Sequence, residues 1–268
     1  MKNLPNAEKY ERSYMHKDVV EHILIAQKNQ FVITISTDGF VKFWKKNQVG
    51  ITFVKSFKAA TGRICAAALS HDHCRLITAS AQDQMLKIFD VVNFDLMHLH
   101  KTPFTPGPCV LFINQKGSFS YNYAVSHDSQ ITVFKEGQDS PLHVAKDIHY
   151  EDITHMAYSY VHNFVVSLDA SGMIEIWDSQ SFEFPQKALQ FELISDTQFL
   201  EVAEEAPVVG VTFGRKDSVL VVWGGKSIWF FDVLSGKVVK KRDVSLELEG
   251  LGEKDFKVES EIGLKQKQ

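Results

Sequence analysis

The chain has 268 residues, with 29 Lys and Arg against 33 Asp and Glu, a net charge of -4, and 44% hydrophobic residues. That balance suits a globular protein with a large core and argues against one that coats nucleic acid by neutralising phosphates. No apolar run reaches the roughly 20 residues a membrane helix needs, and the polar N-terminus is not a secretory signal. Cys65, Cys74 and Cys109 lack C-x-x-C spacing, so neither a disulfide framework nor a zinc ribbon is expected and a reducing compartment is the default.

In chain order, residues 1–15 form an N-terminal segment whose Leu4–Tyr14 run offers one outer strand to close a ring. Strands follow at Val19–Ala26, Phe31–Ser36, Val41–Trp44 and Phe53–Phe57, separated by turns such as Thr37-Asp38-Gly39. The next set is Ile64–Leu69, Arg75–Ser80, Leu86–Asp90 and Leu96–His100. Ile153–Tyr158, Phe164–Leu168, Ile174–Asp178, Val208–Phe213, Val219–Trp223 and Ile228–Asp232 read the same way. Val219–Trp223 is apolar on both faces, as a strand sandwiched between two other sheets requires. Helical periodicity is nearly absent before residues 244–268, a charged tail that suits a helix or a disordered linker. The chain reads as all-β.

One pattern returns five times: a turn, then alternating residues ending in a large aromatic. It ends at Trp44, Phe89, Phe134, Trp177 and, more weakly, Phe231, at intervals of 45, 45, 43 and 54 residues. The last interval predicts a longer excursion within 179–206. Such a period with such a pattern resembles WD40 repeats, each a four-stranded blade of a β-propeller. Residues 16–243 then hold five recognisable four-stranded blades. Propellers of this type most often have more, so the expectation is an incomplete, open propeller with Ile33, Phe43, Val221 and Phe230 on its apolar flanks.

The resemblance also implies a structural tetrad in blade one: His16, Ser36, Asp38 and Trp44. In it the Asp accepts from the His, the His meets the Ser, and the Ser hydroxyl meets the Trp indole. Asp83 and Asp128 stand six residues before their aromatics, as Asp38 does, and Asp169 is a partner for His149. These turn acids are read as serving rigidity, because buried polar groups are costly unless paired.

A narrower resemblance rests on L-P-N-A-E-K-Y-E-R-S-Y-M-H at 4–16, D-G-F-V-K-F-W-K-K at 38–46, K-I-F-D-V-V-N-F-D at 87–95 and S-G-M-I-E-I-W at 171–177. These runs resemble the spliceosome-associated cyclophilins that carry WD repeats, in their N-terminal WD40 part only. The family implies a C-terminal prolyl isomerase domain, nuclear localisation and spliceosomal protein partners. None of Arg12, Arg63, Arg75, Arg215 and Arg242 lies in that family's catalytic motif, and too few residues remain for a second domain.

Three clusters invite chemistry and receive plainer readings. His71-Asp72-His73-Cys74 is a polar turn, because adjacent side chains on a turn rarely converge on one ion. Ser126-His127-Asp128 is no hydrolase triad, because triads are assembled from residues distant in sequence; Ser126 is placed like Ser36. Lys42, Lys45, Lys46, Lys55 and Lys58 form a basic edge on blade one, the first place to look for an RNA or acidic-peptide contact.

The sequence therefore reads as a non-catalytic scaffold with no cofactor or metal, binding proteins and neither membrane nor nucleic acid directly. Missing blades or a partner are expected to cover its open flanks. One alternative is the propeller part of a functional isomerase whose cyclophilin domain lies beyond Gln268, to be sought in the coding sequence downstream. Another is a propeller that reads RNA or a modified peptide.

Overall fold

β-branched and aromatic residues alternating with polar ones, punctuated by Gly, Asp and Asn, yield nineteen strands among the described residues. The computed structural model describes residues 13–114, 120–186, 188–205, 207–214 and 217–244. Blade one comprises β1 (Val20–Ala26), β2 (Phe31–Ser36), β3 (Phe40–Lys46) and β4 (Ile51–Lys58). Blade two comprises β5 (Ala66–Leu69), β6 (Arg75–Ser80), β7 (Met85–Asp90) and β8 (Leu96–Lys101). Blade three is β9 (Val110–Phe112), β10 (Asn122–His127), β11 (Gln130–Lys135) and β12 (His143–Ala145). Blade four has β13 (Ile153–Ser159), β14 (Phe164–Asp169) and β15 (Ile174–Asp178). Blade five has β16 (Val208–Phe213), β17 (Val219–Gly224), β18 (Ser227–Asp232) and β19 (Lys237–Asp243). Each sheet is antiparallel with its strands in chain order.

The five marker aromatics all lie on third strands. A register shift recurs beside three of them, at Phe43/Trp44, Ile88/Phe89 and Phe230/Phe231, in the pairing of the third strand with the outer one. Blade four differs in having three strands among the described residues. The chain after it forms a 3-10 turn (Ile194–Asp196) and a short helix, α1 (Phe199–Glu205). Leu189, Phe191, Phe199 and Val202 from this excursion are buried with Ile176, Leu220 and Phe231. The long repeat interval thus fills the seam between blades four and five.

Four hydrophobic cores lie at the seams between consecutive blades. Ile33, Ile35, Val41 and Phe43 meet Ile64, Leu76 and Phe89. Ile77, Leu86 and Ile88 meet Val110, Tyr123 and Phe134, and Ile131 and Val133 meet Val165 and Trp177. Among the described residues no such core joins blade five to blade one.

The expected flank of blade one needs correcting. Ile33 and Phe43 are fully buried against blade two. Alternation along β2 and β3 turns them one way and Val32, Thr34 and Trp44 the other. The uncovered apolar residues are instead Ile23, 64% exposed, and Ile25, 60% exposed. On blade five Val221 and Phe230 are half-buried on the side away from the seam core.

Residues 1–12 and 245–268, which include most of the anticipated closing strand and almost all of the tail, lie outside the described residues. Tyr14 is described, and its ring stacks on Phe53 at 4.4 Å.

Gly39 closes the β2–β3 turn at φ 79°, and a Cβ there would lie 2.4 Å from the Ala60 carbonyl oxygen. Left-handed backbone and a rigid obstacle act together at this position. Gly39→Ala should destabilise by at least about 1–2 kcal/mol, read as a lower urea midpoint.

Candidate interaction surface

The outward face of blade one is held by a chain of hydrogen bonds. The Trp44 indole N–H donates to Thr34 Oγ1 at 2.8 Å, and that hydroxyl lies 2.7 Å from His16 Nε2. His16 Nδ1 lies 2.6 Å from Ser36 Oγ. The Ser36 hydroxyl donates to the Asp38 carboxylate, which also accepts the Phe40 N–H at 3.2 Å. Following the donors assigns the tautomer: Trp44 to Thr34, Thr34 to Nε2, Nδ1–H to Ser36, Ser36 to Asp38. Every hydroxyl donates once and accepts once. Burial and the nearby Lys42 lower the His16 pKa, consistent with a neutral ring. Burial pushes the Asp38 carboxyl up, but the Ser36 and Phe40 hydrogen bonds outweigh it and hold it below its ordinary value.

Two links differ from the expected tetrad. Thr34, not Ser36, meets Trp44, and Ser36 stands between His16 and Asp38. Residues two apart on a strand share a face, so both hydroxyls reach the imidazole, one at each nitrogen. Asp38→Ala and Thr34→Val should each cost about 1–3 kcal/mol by leaving partly buried donors unpaired, a loss thermal denaturation would show.

Blade four carries the same device with two residue types exchanged. Ser167 lies 2.7 Å from His149 Nε2, and Asp169 lies 3.2 Å from Nδ1. Asp169 occupies the place of Ser36, while Ser171, in the place of Asp38, donates to it at 2.6 Å. The carboxylate also accepts the Ser171 and Met173 N–H groups. The Trp177 indole nitrogen has no partner here.

Asp83 and Asp128 belong to no such network. Asp83 accepts the Thr61 N–H at 2.9 Å and the Thr61 hydroxyl, tying down the loop between blades one and two. Asp128 is exposed in a left-handed turn, φ 49°. The second-to-third-strand loops run 37–39, 81–84 and 128–129, so an equal offset from the aromatic does not give an equal place.

The other candidates are dispersed. Ser126 bonds the Cys109 backbone, His127 meets Thr132 at 2.8 Å, and neither forms a relay with Asp128. Ser126 is not placed like Ser36, because the β10–β11 register puts His127 there. Asp72 is engaged by Ser70, the Cys74 N–H and the Tyr121 hydroxyl, while His71 stacks on Tyr160 at 3.5 Å. His73 Nδ1 accepts the Lys28 N–H, so these four side chains do not converge.

The basic edge divides in two. Lys42 donates to the Tyr14 and Met15 carbonyls, and Lys45 donates to Asn29 O and lies over the Phe31 ring. Both therefore pin chain segments. Lys46, Lys55 and Lys58 are exposed. Beside Lys46 runs a groove of about 1030 Å³ lined by Ile25, Gln27, Val32, Asn47 and Val49. A lining that mixes apolar side chains with amides and a lysine suits a protein-binding surface.

Seven histidines (16, 71, 73, 100, 127, 149 and 155) are shifted below their ordinary pKa, in each case chiefly by burial. The unfolded chain then takes up protons first as pH falls, so stability declines below about 6.5 and continues to decline until the folded-state values are passed. The melting temperature should fall between pH 7.5 and 5.5. A flat profile would show these rings are not desolvated.

Five antiparallel sheets in series, third-strand aromatics and His–hydroxyl–Trp circuitry make this a WD40-type β-propeller protein. Residues 51–90 match the family model for the WD domain, G-beta repeat. The chain is similar to mouse "Peptidylprolyl isomerase domain and WD repeat-containing protein 1", 36% identical over 255 residues, 92% of this chain and 38% of that protein. It is 38% identical over 204 residues to Arabidopsis thaliana "Peptidyl-prolyl cis-trans isomerase CYP71", covering 75% of this chain and 32% of that protein. Schizosaccharomyces pombe "Peptidyl-prolyl cis-trans isomerase 9" is 28% identical over 247 residues, 90% of this chain and 40% of that protein. The chain is a homologue of the WD-repeat part of these isomerases and spans well under half their length. Propeller and homologues together support a protein-interaction scaffold.

Proposed function

We propose that the chain is a non-catalytic scaffold that binds proteins within a nuclear RNA-processing assembly, the spliceosome. The uncovered apolar face of blade one, with its groove and exposed lysines, supports this reading most directly. Rigid sheets hold such a face in fixed shape, so binding needs little reorganisation. The nuclear, spliceosomal setting follows the likeness to WD-repeat cyclophilins.

Gradient sedimentation of nuclear extract tests it. The chain should travel with small nuclear ribonucleoproteins; sedimentation as a free light species, or exclusion from the nucleus, contradicts the reading. In a proline-peptide assay the purified chain should leave isomerisation at its uncatalysed rate, tens to hundreds of seconds. Cyclosporin-sensitive turnover would contradict that.

A second reading, the WD part of a complete isomerase, is favoured by the 38% coverage of the mouse relative. The coding sequence downstream of Gln268 decides between them.

A further inference from the structure

The outer seam between blades two and three gathers three metal-ligating side chains. His98 and His100 stand two apart on β8, so their rings share the face turned toward blade three. Asp139 comes from the loop joining β11 to β12. One donor atom from each lies within 4.8 Å of the others, and His98 Nε2 is 3.8 Å from Asp139 Oδ1.

Two features set this cluster apart from a chance gathering. His98 Nε2 is buried and has no hydrogen-bond partner, a cost that an isolated imidazole in a seam does not recover. His100 is fixed from behind, with Nδ1 3.2 Å from the Tyr123 hydroxyl and its ring edge-on to Phe134 at 4.3 Å. An outer hydrogen bond that orients a histidine ring is a feature ligating histidines share.

We propose that His98, His100 and Asp139 form a site for a divalent transition metal of the zinc class, with water in the fourth position. Two imidazoles and a carboxylate suit Zn²⁺, Co²⁺ or Ni²⁺ and are poor for Ca²⁺ or Mg²⁺, which prefer oxygen cages. Bonds of about 2.0–2.2 Å place tetrahedral donors roughly 3.4 Å apart, so donors now 3.8 Å apart at His98 and Asp139, and within 4.8 Å overall, must draw together slightly. Asp139 has that freedom: its side chain is 83% exposed, and Gly137 nearby in the loop adopts φ 82°. A bound ion would staple the outer strand of blade two to blade three.

Cobalt titration of the full chain tests this, with Co²⁺ as the optical probe and Zn²⁺ as the competitor. The expected result is one equivalent bound with tetrahedral visible bands, displaced by Zn²⁺. His98→Ala and Asp139→Asn should each weaken binding by about tenfold or more. Asp139→Asn alters an exposed loop and should keep the wild-type circular dichroism, so its loss of binding reports the ligand and not the fold. Zn²⁺ should raise the melting temperature of the wild type but not of Asp139→Asn. Absence of stoichiometric binding, or equal binding by wild type and both variants, overturns the proposal.

Discussion

Asp169→Ala should destabilise the protein by about 3–5 kcal/mol, the largest loss among its turn acids. The residue is 1% exposed, and its carboxylate serves His149, the Ser171 hydroxyl and the N–H groups of Ser171 and Met173. Truncation leaves all four donors without this partner, the buried His149 ring among them, while Ser171 at the surface can turn to water. Asp169→Asn preserves the shape and part of the bonding, so it should cost less. Asp128→Ala changes an exposed turn and should stay within about 0.5 kcal/mol of wild type. Asp83→Ala should fall between them, near about 1 kcal/mol, because the Thr61 loop it holds lies at the surface. Urea unfolding of the series gives the order directly. Equal losses at the three positions would mean that Asp169 is not the hub of blade four.

Phe43→Ala should cost about 3–5 kcal/mol, and Ile25→Ser almost nothing. Both residues are apolar and both belong to blade one. Phe43 is fully buried and touches Phe31, Phe57 and Phe94 in the seam with blade two. Its removal opens a cavity that strands fixed on both sides cannot close. Ile25 faces the uncovered side, and serine there removes an exposed apolar group. Ile25→Ser should also reduce self-association at high protein concentration, measurable by sedimentation velocity. A large loss of stability at Ile25 would place another element on that face.

Much of this architecture is legible in the residues because turns and alternation repeat. The third-strand aromatics, most strands of blades one, two, four and five, and the excursion after Trp177 follow from local pattern alone, whereas the strands of blade three and β19 are not assigned from it. What depends on which neighbour lies on which side does not. Alternation groups Ile33 with Phe43 and Thr34 with Trp44, yet it cannot say which group meets the next blade. Thr34 escapes notice because Ser36 is the nearer hydroxyl to the turn, although the two share a face. The Asp169–Ser171 exchange hides because a two-residue shift preserves the chemistry while moving the acid away from the expected offset. α1 has only seven residues, too few to show a helical period. His98 and His100 do carry a visible same-face spacing, but Asp139 reaches them from another blade, a proximity only the fold creates.

Hydrogen–deuterium exchange of the intact chain tests the central claim, five blades in series with the outward face of blade one left uncovered. Strands β6, β10 and β14, paired on both edges and packed between seam cores, should exchange slowest. Among the first strands of the blades, β1 should exchange faster than β13, which packs against both β9 and β16. Slow exchange in the second strands with fast exchange at residues 20–26 is the predicted pattern. Protection of residues 20–26 equal to that of 153–159 would contradict it, because it would require blade five to close against blade one.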